Sequence, residues 1–211
     1  MYLPAAFKED RAEVLYEMIR THPLGTLITS GAGGLIANLV PFLLDSSGGG
    51  TLLAHVARAN DQVPALREGG ETLVVFQGPQ AYVTPSWYPS KAEHGKVVPT
   101  WNYVTVQVRG RPRIIEDKAW LRGLVERLTD THEAGRQLPW KVADAPEDYV
   151  TGLLGAIVGI EIPIDAIDGK WKVSQNRPGK DRVGVKAGLA ADGHAELAAL
   201  ITPPVDGQPE P

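Results

Sequence analysis

The chain has no cysteine, and only two methionines and three phenylalanines. Without cysteine there is no disulfide and no thiolate metal site, and nothing ties the fold to an oxidising compartment. Long apolar runs are missing too. The strongest, GLLGAIVGIEIPI, is broken by Glu161 and Pro163, well short of the roughly 20 residues that a membrane-spanning helix needs. The opening residues, MYLPAAFKED, lack a basic segment followed by an apolar one, so no secretory signal is read there. A cytoplasmic protein with no membrane association is the expectation. Excess positive charge is also lacking: the net charge of −4 supplies no overall attraction to nucleic acid. No His-x-x-x-His spacing accompanies the Thr131-His132-Glu133 triplet, so no metal is expected. Ser86 has no glycine-flanked elbow around it. GAGG and SSGGG stand between strands rather than between strand and helix, where a phosphate-cradling loop would lie.

What is present is an ordinary globular composition, 43% hydrophobic and 22% charged over 211 residues. No internal repeat or linker divides it, so residues 1–201 are read as a single domain. The four prolines of TPPVDGQPEP, residues 202–211, predict a disordered tail. Periodicity predicts a helix over 9–21, with Val14, Leu15, Met18 and Ile19 on one face, stopped by His22-Pro23. Strands are predicted in GTLITS, LIANLVPFLLD, TLLAHVA, ETLVVFQG, AYVTP and 98–109, with RPRIIE as a partner to the last. Further helices are predicted over 60–67, from an Asp117 cap to Thr131, over 146–154 and over 193–201, with AIVGIEIPI as a buried strand. Hairpin spacing with helices at the edges suggests an antiparallel barrel. The run from Lys170 to Lys186 holds six basic residues and one acid, Asp181. It reads either as a solvated loop or as a phosphate-binding patch.

Two stretches carry chemistry. In LLAHVARANDQVPALREG, Arg58 follows a strand, and Asn60 suits the cap of a short helix whose first turn holds Pro64. An arginine beside a helix N-terminus is a physical anion site. The alternative is an arginine paired with a surface carboxylate, and His55 reads equally as a packed strand residue. In VVPTWNYVTVQVRG, strict alternation sends Val98, Asn102, Val104, Val106 and Val108 to one face, and Trp101, Tyr103, Thr105 and Gln107 to the other. Five of the 14 aromatic residues lie between Tyr82 and Tyr103 inclusive. The polar atoms of the second face need partners. It suits a planar ligand, a subunit interface, or an aromatic edge closing the core.

Taken together, MYLPAAF, GTLITS, HVARAND, FQGPQAYVTPSWYPSK, VVPTWNYVTVQVRG, LTDTHE, AIVGIEI and GKWKVSQNRPGKDR resemble the PaiB family of FMN-binding negative transcriptional regulators. The resemblance reaches to about Leu189. It implies a mainly β (α+β) fold, a six-stranded antiparallel split barrel of the flavin-binding type with peripheral helices. It further implies a homodimer with FMN in two clefts at the interface. By resemblance, His55, Ala57, Arg58 and Asn60 hold the phosphate and ribityl chain, and the strand ending at Gly110 contributes from the partner. On that strand the resemblance places Trp101, Asn102, Tyr103 and Thr105 at the flavin. The segment KWKVSQNR is similar in kind to the flavin-proximal C-terminal segment of pyridoxamine-phosphate oxidases, which brings in Trp171, Gln175 and Arg177. The first functional expectation is therefore a flavin-binding regulator, in which direct contact with DNA has little physical support because no recognition helix follows His22-Pro23. The alternative is an FMN-dependent oxidoreductase acting on a nicotinamide cofactor or a small oxidised substrate. A third is a haem protein with His55 or another histidine as axial ligand.

Overall fold

The computed structural model describes residues 1–202; most of the expected tail lies outside them. In chain order the elements are β1 (Lys8–Glu9), α1 (Ala12–Thr21), β2 (Leu24–Gly31), β3 (Gly34–Pro41), β4 (Leu43–Asp45) and β5 (Thr51–Ala57). Then come α2 (Val63–Glu68), β6 (Thr72–Val83), α3 (Ser90–His94), β7 (Thr100–Gly110), β8 (Arg113–Ile115) and α4 (Lys118–Glu133). The chain continues through α5 (Glu147–Gly155), β9 (Ile157–Pro163), β10 (Ala166–Lys172), α6 (Gly179–Ala191) and α7 (Ala195–Ala199). Helix accounts for 38% and strand for 34%. The fold is antiparallel α+β, with a larger helical share than the sequence suggests.

Two compact units are assembled from interleaved stretches. One comprises Met1–Met18, Gln77–Val106 and residues 168–202, and the other Ile19–Phe76 and Gln107–Ile167. Strands of the first unit run in the order β1-β10-β7-β6, with Lys8 opposite Lys170. In the second, β6-β2-β3 form one set and β4-β5-β9-β8 a separate sheet.

The second unit shows why its residues fold as they do. On β2, Gly25, Leu27 and Thr29 are buried in alternation. Its hairpin partner β3 leaves Leu35 and Leu39 exposed. Across the turn Gly31 pairs with Gly34, whose φ of 95° suits only glycine. Gln62 is fully buried. Its amide nitrogen donates to the carbonyls of Leu27 and Ile36 at 2.9 and 3.1 Å and to Thr29 Oγ1 at 3.2 Å. Its oxygen accepts from Asn38 at 2.9 Å. On α4 the expected cap is present, Asp117 accepting from the Trp120 backbone N–H at 2.7 Å. Leu121 packs with Val142, Val150 and Leu154, and Leu124 and Leu128 pack with Leu53. Each such side chain, fully buried, is worth about 1.5–3 kcal/mol. The Trp120 ring lies where a Cβ on Gly159 would sit, 2.3 Å away, so a bare glycine on β9 makes room for it.

Three expectations need correcting. The segments ETLVVFQG and AYVTP form one strand, β6, rather than two. Its buried residues change parity, from Thr72, Val74 and Phe76 to Ala81 and Val83. The shift falls around Gly78-Pro79. Second, β8 pairs with β9 (Ile114 opposite Ile160) and not with β7. Third, the basic segment 170–186 is no loop: it holds the end of β10, a turn, and most of α6.

Candidate functional site

In the first unit β7 alternates as its sequence requires. Asn102, Val104 and Val106 are buried, while Tyr103 and Thr105 are partly covered. Val98 precedes the strand and is exposed, so it does not share the valine face. Trp101 is 53% exposed and meets Tyr82 edge-on, with ring centres 6.1 Å apart. The ammonium groups of Lys170 and Lys172, both from β10, lie 5.4 and 6.0 Å from the Tyr103 ring centre. The result is an open aromatic face with a cationic rim. Its rings can stack on a planar group, and its ammonium groups can hold an anion.

Other expected residues of this unit serve the scaffold. Asn102 is 1% exposed and donates to Ser174 Oγ at 2.9 Å. It thereby anchors the turn after β10, where Ser174 adopts a φ of 66°. Gln175 spends its amide on that same turn, accepting from the Val173 N–H at 2.8 Å and donating to the Trp171 carbonyl at 2.5 Å. Arg177 stacks 4.9 Å from the ring centre of Tyr88, which is itself buried. Trp87 seats its ring against Gly188 of α6. Two of the five clustered aromatics, Trp87 and Tyr88, are therefore packing residues, while Tyr82, Trp101 and Tyr103 form the face.

His55, Ala57, Arg58 and Asn60 belong to the second unit. His55 borders an apolar cavity of about 370 Å3, lined by Val125, Val150, Leu154 and Ile157 among others. Its Nδ1 is buried with no hydrogen-bond partner, and burial pushes the imidazole pKa below its ordinary value. Arg58 makes three contacts within the fold while its side chain stays 42% exposed. Nε donates to the Gly155 carbonyl and one terminal nitrogen to the Ile157 carbonyl, each at 3.2 Å. The other terminal nitrogen pairs with Glu116 at 3.1 Å. Arg67 holds the same carboxylate, and first Arg67 and then Arg58 lower its pKa. Asn60 accepts from the Gln62 N–H at 2.8 Å, one step before the helix; the N-cap position of α2 is Gln62, which makes no side-chain cap bond. Pro64 does fall in its first turn. With six residues, α2 is too short for its N-terminus to make an anion site of its own.

The basic segment likewise disperses. Lys180 pairs with Glu93, Arg182 donates to the Thr202 carbonyl and Lys186 to that of Ile201. Asp181, 1% exposed, accepts both the backbone and hydroxyl donors of Ser90 at 3.1 and 2.7 Å. Gln62 is a polar side chain that the sequence reading passed over, and Lys170 and Lys172 entered it only as part of the basic run 170–186. For the lysines a signal existed, since Lys-x-Lys on a strand places both on one face. Gln62 offered none. Among the described residues no His, Asp and Glu cluster could hold a metal ion, and no helix is long and apolar enough to cross a membrane.

Against known proteins, the profile of the family described as "Putative FMN-binding domain" matches residues 1–166. The chain is 31% identical to the Protease synthase and sporulation protein PAI 2 of Bacillus subtilis, covering 88% of this chain and 87% of that one. The chain belongs to the PaiB family of FMN-binding proteins. An uncharacterized protein of Emericella nidulans is 37% identical over 90% of both chains. Among solved structures, the FAD and Heme binding protein from Mycobacterium smegmatis superposes with a TM-score of 0.58 at 21% identity, over 78% of this chain and 73% of that one. The architecture is the flavin-binding split barrel, and FMN is the cofactor that goes with this PaiB-family chain. The aromatic face with its cationic rim fits such a planar, anionic group. Residues 167–202, which include both lysines, lie beyond the matched stretch.

Proposed function

We propose that this protein is a homodimeric flavoprotein that stacks FMN on the Trp101–Tyr103 face and acts as a regulator through flavin occupancy or redox state. The observation that carries this is the open face itself. On a strand whose other side is fully buried, Trp101 remains 53% exposed beside Tyr82 and two ammonium groups. When bound, FMN supplies hydride and single-electron chemistry. The chain's part is to stack the ring, exclude water from one side of it and balance its charge. The regulatory role is what the resemblance to the PaiB family of negative transcriptional regulators suggests. The net charge of −4 and the dispersal of Lys180, Arg182 and Lys186 among separate partners speak for an indirect route rather than for reading DNA. Leu24, Leu35 and Leu39, large apolar side chains exposed on one hairpin, support a second copy as partner.

The test is the absorption spectrum of freshly purified protein, with and without added FMN, together with its sedimentation. A flavin band at one FMN per chain and a mass twice 22.7 kDa are expected. A chain that retains no flavin band once excess FMN has been removed by gel filtration rules the reading out. Haem is the second reading, favoured by the unpartnered His55 Nδ1 beside an apolar cavity; a Soret band in place of the flavin band would select it.

A further inference from the structure

On β5 the side chains of Leu53, His55 and Ala57 share one face. Leu53 is covered by Leu124 and Leu128 of α4, and further along that helix Leu121 gathers Val142, Val150 and Leu154. Against this second cluster lies the cavity of about 370 Å3, and every residue that lines it belongs to the second unit. Three alanines, Ala57, Ala145 and Ala156, stand on its wall where larger side chains would fill it. Trp140, Tyr149 and Leu153 line it too, yet they stay 47%, 59% and 51% exposed, which marks the entrance. Among the described residues the wall carries no lysine, arginine or carboxylate. Its one buried polar atom without a partner is His55 Nδ1, on an imidazole that burial keeps neutral.

We propose that this cavity is a binding site for a small hydroxylated aromatic molecule, separate from the flavin face, with His55 as its polar contact. Size sets the first limit. An apolar protein cavity of about 150 Å3 takes a benzene ring, so about 370 Å3 leaves room for two fused rings. Charge sets the second. With no cation on the wall, a phosphate or carboxylate would be buried unpaired, so the interior selects a neutral ligand. The hydroxyl follows from the imidazole. Neutral histidine donates at one ring nitrogen and accepts at the other, and a hydroxyl, which does both, satisfies Nδ1 in either tautomer. At the entrance Trp140 and Tyr149 supply aromatic surface for a flat ring. Trp101 and Tyr103 belong to the first unit, so the two sites are built from different residues.

The experiment titrates 2-naphthol and naphthalene, which differ by the hydroxyl alone, into wild type, His55→Phe, His55→Gln, Ala145→Phe and Trp101→Ala. Calorimetry reads binding, and circular dichroism verifies folding. Wild type should bind 2-naphthol at one molecule per chain and prefer it to naphthalene about 2- to 12-fold, the value of one neutral hydrogen bond. His55→Phe keeps the apolar wall, so it should still bind naphthalene but lose the preference. His55→Gln restores a donor and an acceptor and should keep the preference, which guards against a variant that merely misfolds. Ala145→Phe fills the cavity and should bind neither ring. Trp101→Ala should bind 2-naphthol as wild type does, and saturating FMN should not displace it. A wild type that binds neither ring overturns the site. So does a preference that survives in His55→Phe, or unchanged binding to Ala145→Phe. Displacement of 2-naphthol by FMN, or a Soret band in the purified protein, would assign the cavity to flavin or haem and overturn the proposal as well. If wild type binds 2-naphthol but no FMN, the flavin reading fails and this site stands.

Discussion

Gly188 of α6 offers a substitution whose sign can be worked out in advance. On an open helix, glycine to alanine stabilises by about 0.8–1.0 kcal/mol, because alanine loses less backbone freedom on folding. At Gly188 the new methyl would fall 2.2–2.6 Å from three atoms of the Trp87 ring, where ordinary contact begins at 3.4 Å. The ring must retreat by about 1 Å, and overpacking of this kind costs about 1–3 kcal/mol. With three ring atoms struck at once the cost belongs at the upper end, so Gly188→Ala should lose about 1–2 kcal/mol net. Gly123 of α4 and Gly152 of α5 have nothing within 4 Å of the added carbon, and the same change there should gain about 0.5–1 kcal/mol. Urea unfolding of the three variants reads the difference as shifts of midpoint in opposite directions at constant slope. Trp87→Leu removes the obstacle, so in that background Gly188→Ala should no longer be destabilising, a coupling that a double-mutant cycle isolates. If Gly188→Ala stabilises as Gly123→Ala does, Trp87 is not seated on α6 and the packing account of SWYPSK is wrong.

Three further outcomes are expected. His55 is held neutral by burial, while in the unfolded chain it protonates below its ordinary 6.5. Stability should therefore fall as pH drops through 6.5 toward the lowered folded value, and His55→Phe should flatten this part of a urea-midpoint profile between pH 7 and 5; an unchanged profile refutes it. Arg58→Met leaves the Gly155 and Ile157 carbonyls without their guanidinium donors and should cost about 1 kcal/mol, seen as a lower unfolding midpoint; a loss of FMN affinity at unchanged stability would return Arg58 to the cofactor. Leu39→Asp, at an exposed position of β3, should shift sedimentation from dimer to monomer with the fold intact, and an unaltered dimer would place the seam elsewhere.

Much of this was legible in the chain because it is local. The two faces of β7 follow from period-two alternation, and the start of α4 follows from Asp117 and the stripe after it. The path of β6 was not, because Gly78-Pro79 punctuates a sequence in the same way whether a strand ends there or runs through. The helix α6 hid behind Gly184, Gly188 and Pro178. The two glycines look like breakers until Trp87 is known to approach their backbone within 2.0–2.6 Å of a Cβ position. Strand partnership is non-local as well: whether RII pairs with β7 or β9 is decided across the sheet. The site divides along the same line. Trp101 and Tyr103 were visible from spacing, but the occupation of Arg58 depends on groups 58, 97 and 99 residues away.

Gln62 has a consequence for how the β2–β3 hairpin finds its alignment. With Leu35 and Leu39 both facing solvent, β3 has little in its own apolar pattern to penalise a one-residue slip. The penalty comes instead from a single buried amide that reads the Leu27 and Ile36 carbonyls, the Thr29 hydroxyl and the Asn38 side chain together. A slipped hairpin turns Asn38 away and strands that amide in the interior, at about 1–3 kcal/mol for each group left unpaired. The turn preceding α2 therefore acts as a proofreader for strands that come before it in the sequence. Final alignment must wait for Gln62 to arrive, so the amides of β3 should become protected from hydrogen exchange together with those of α2.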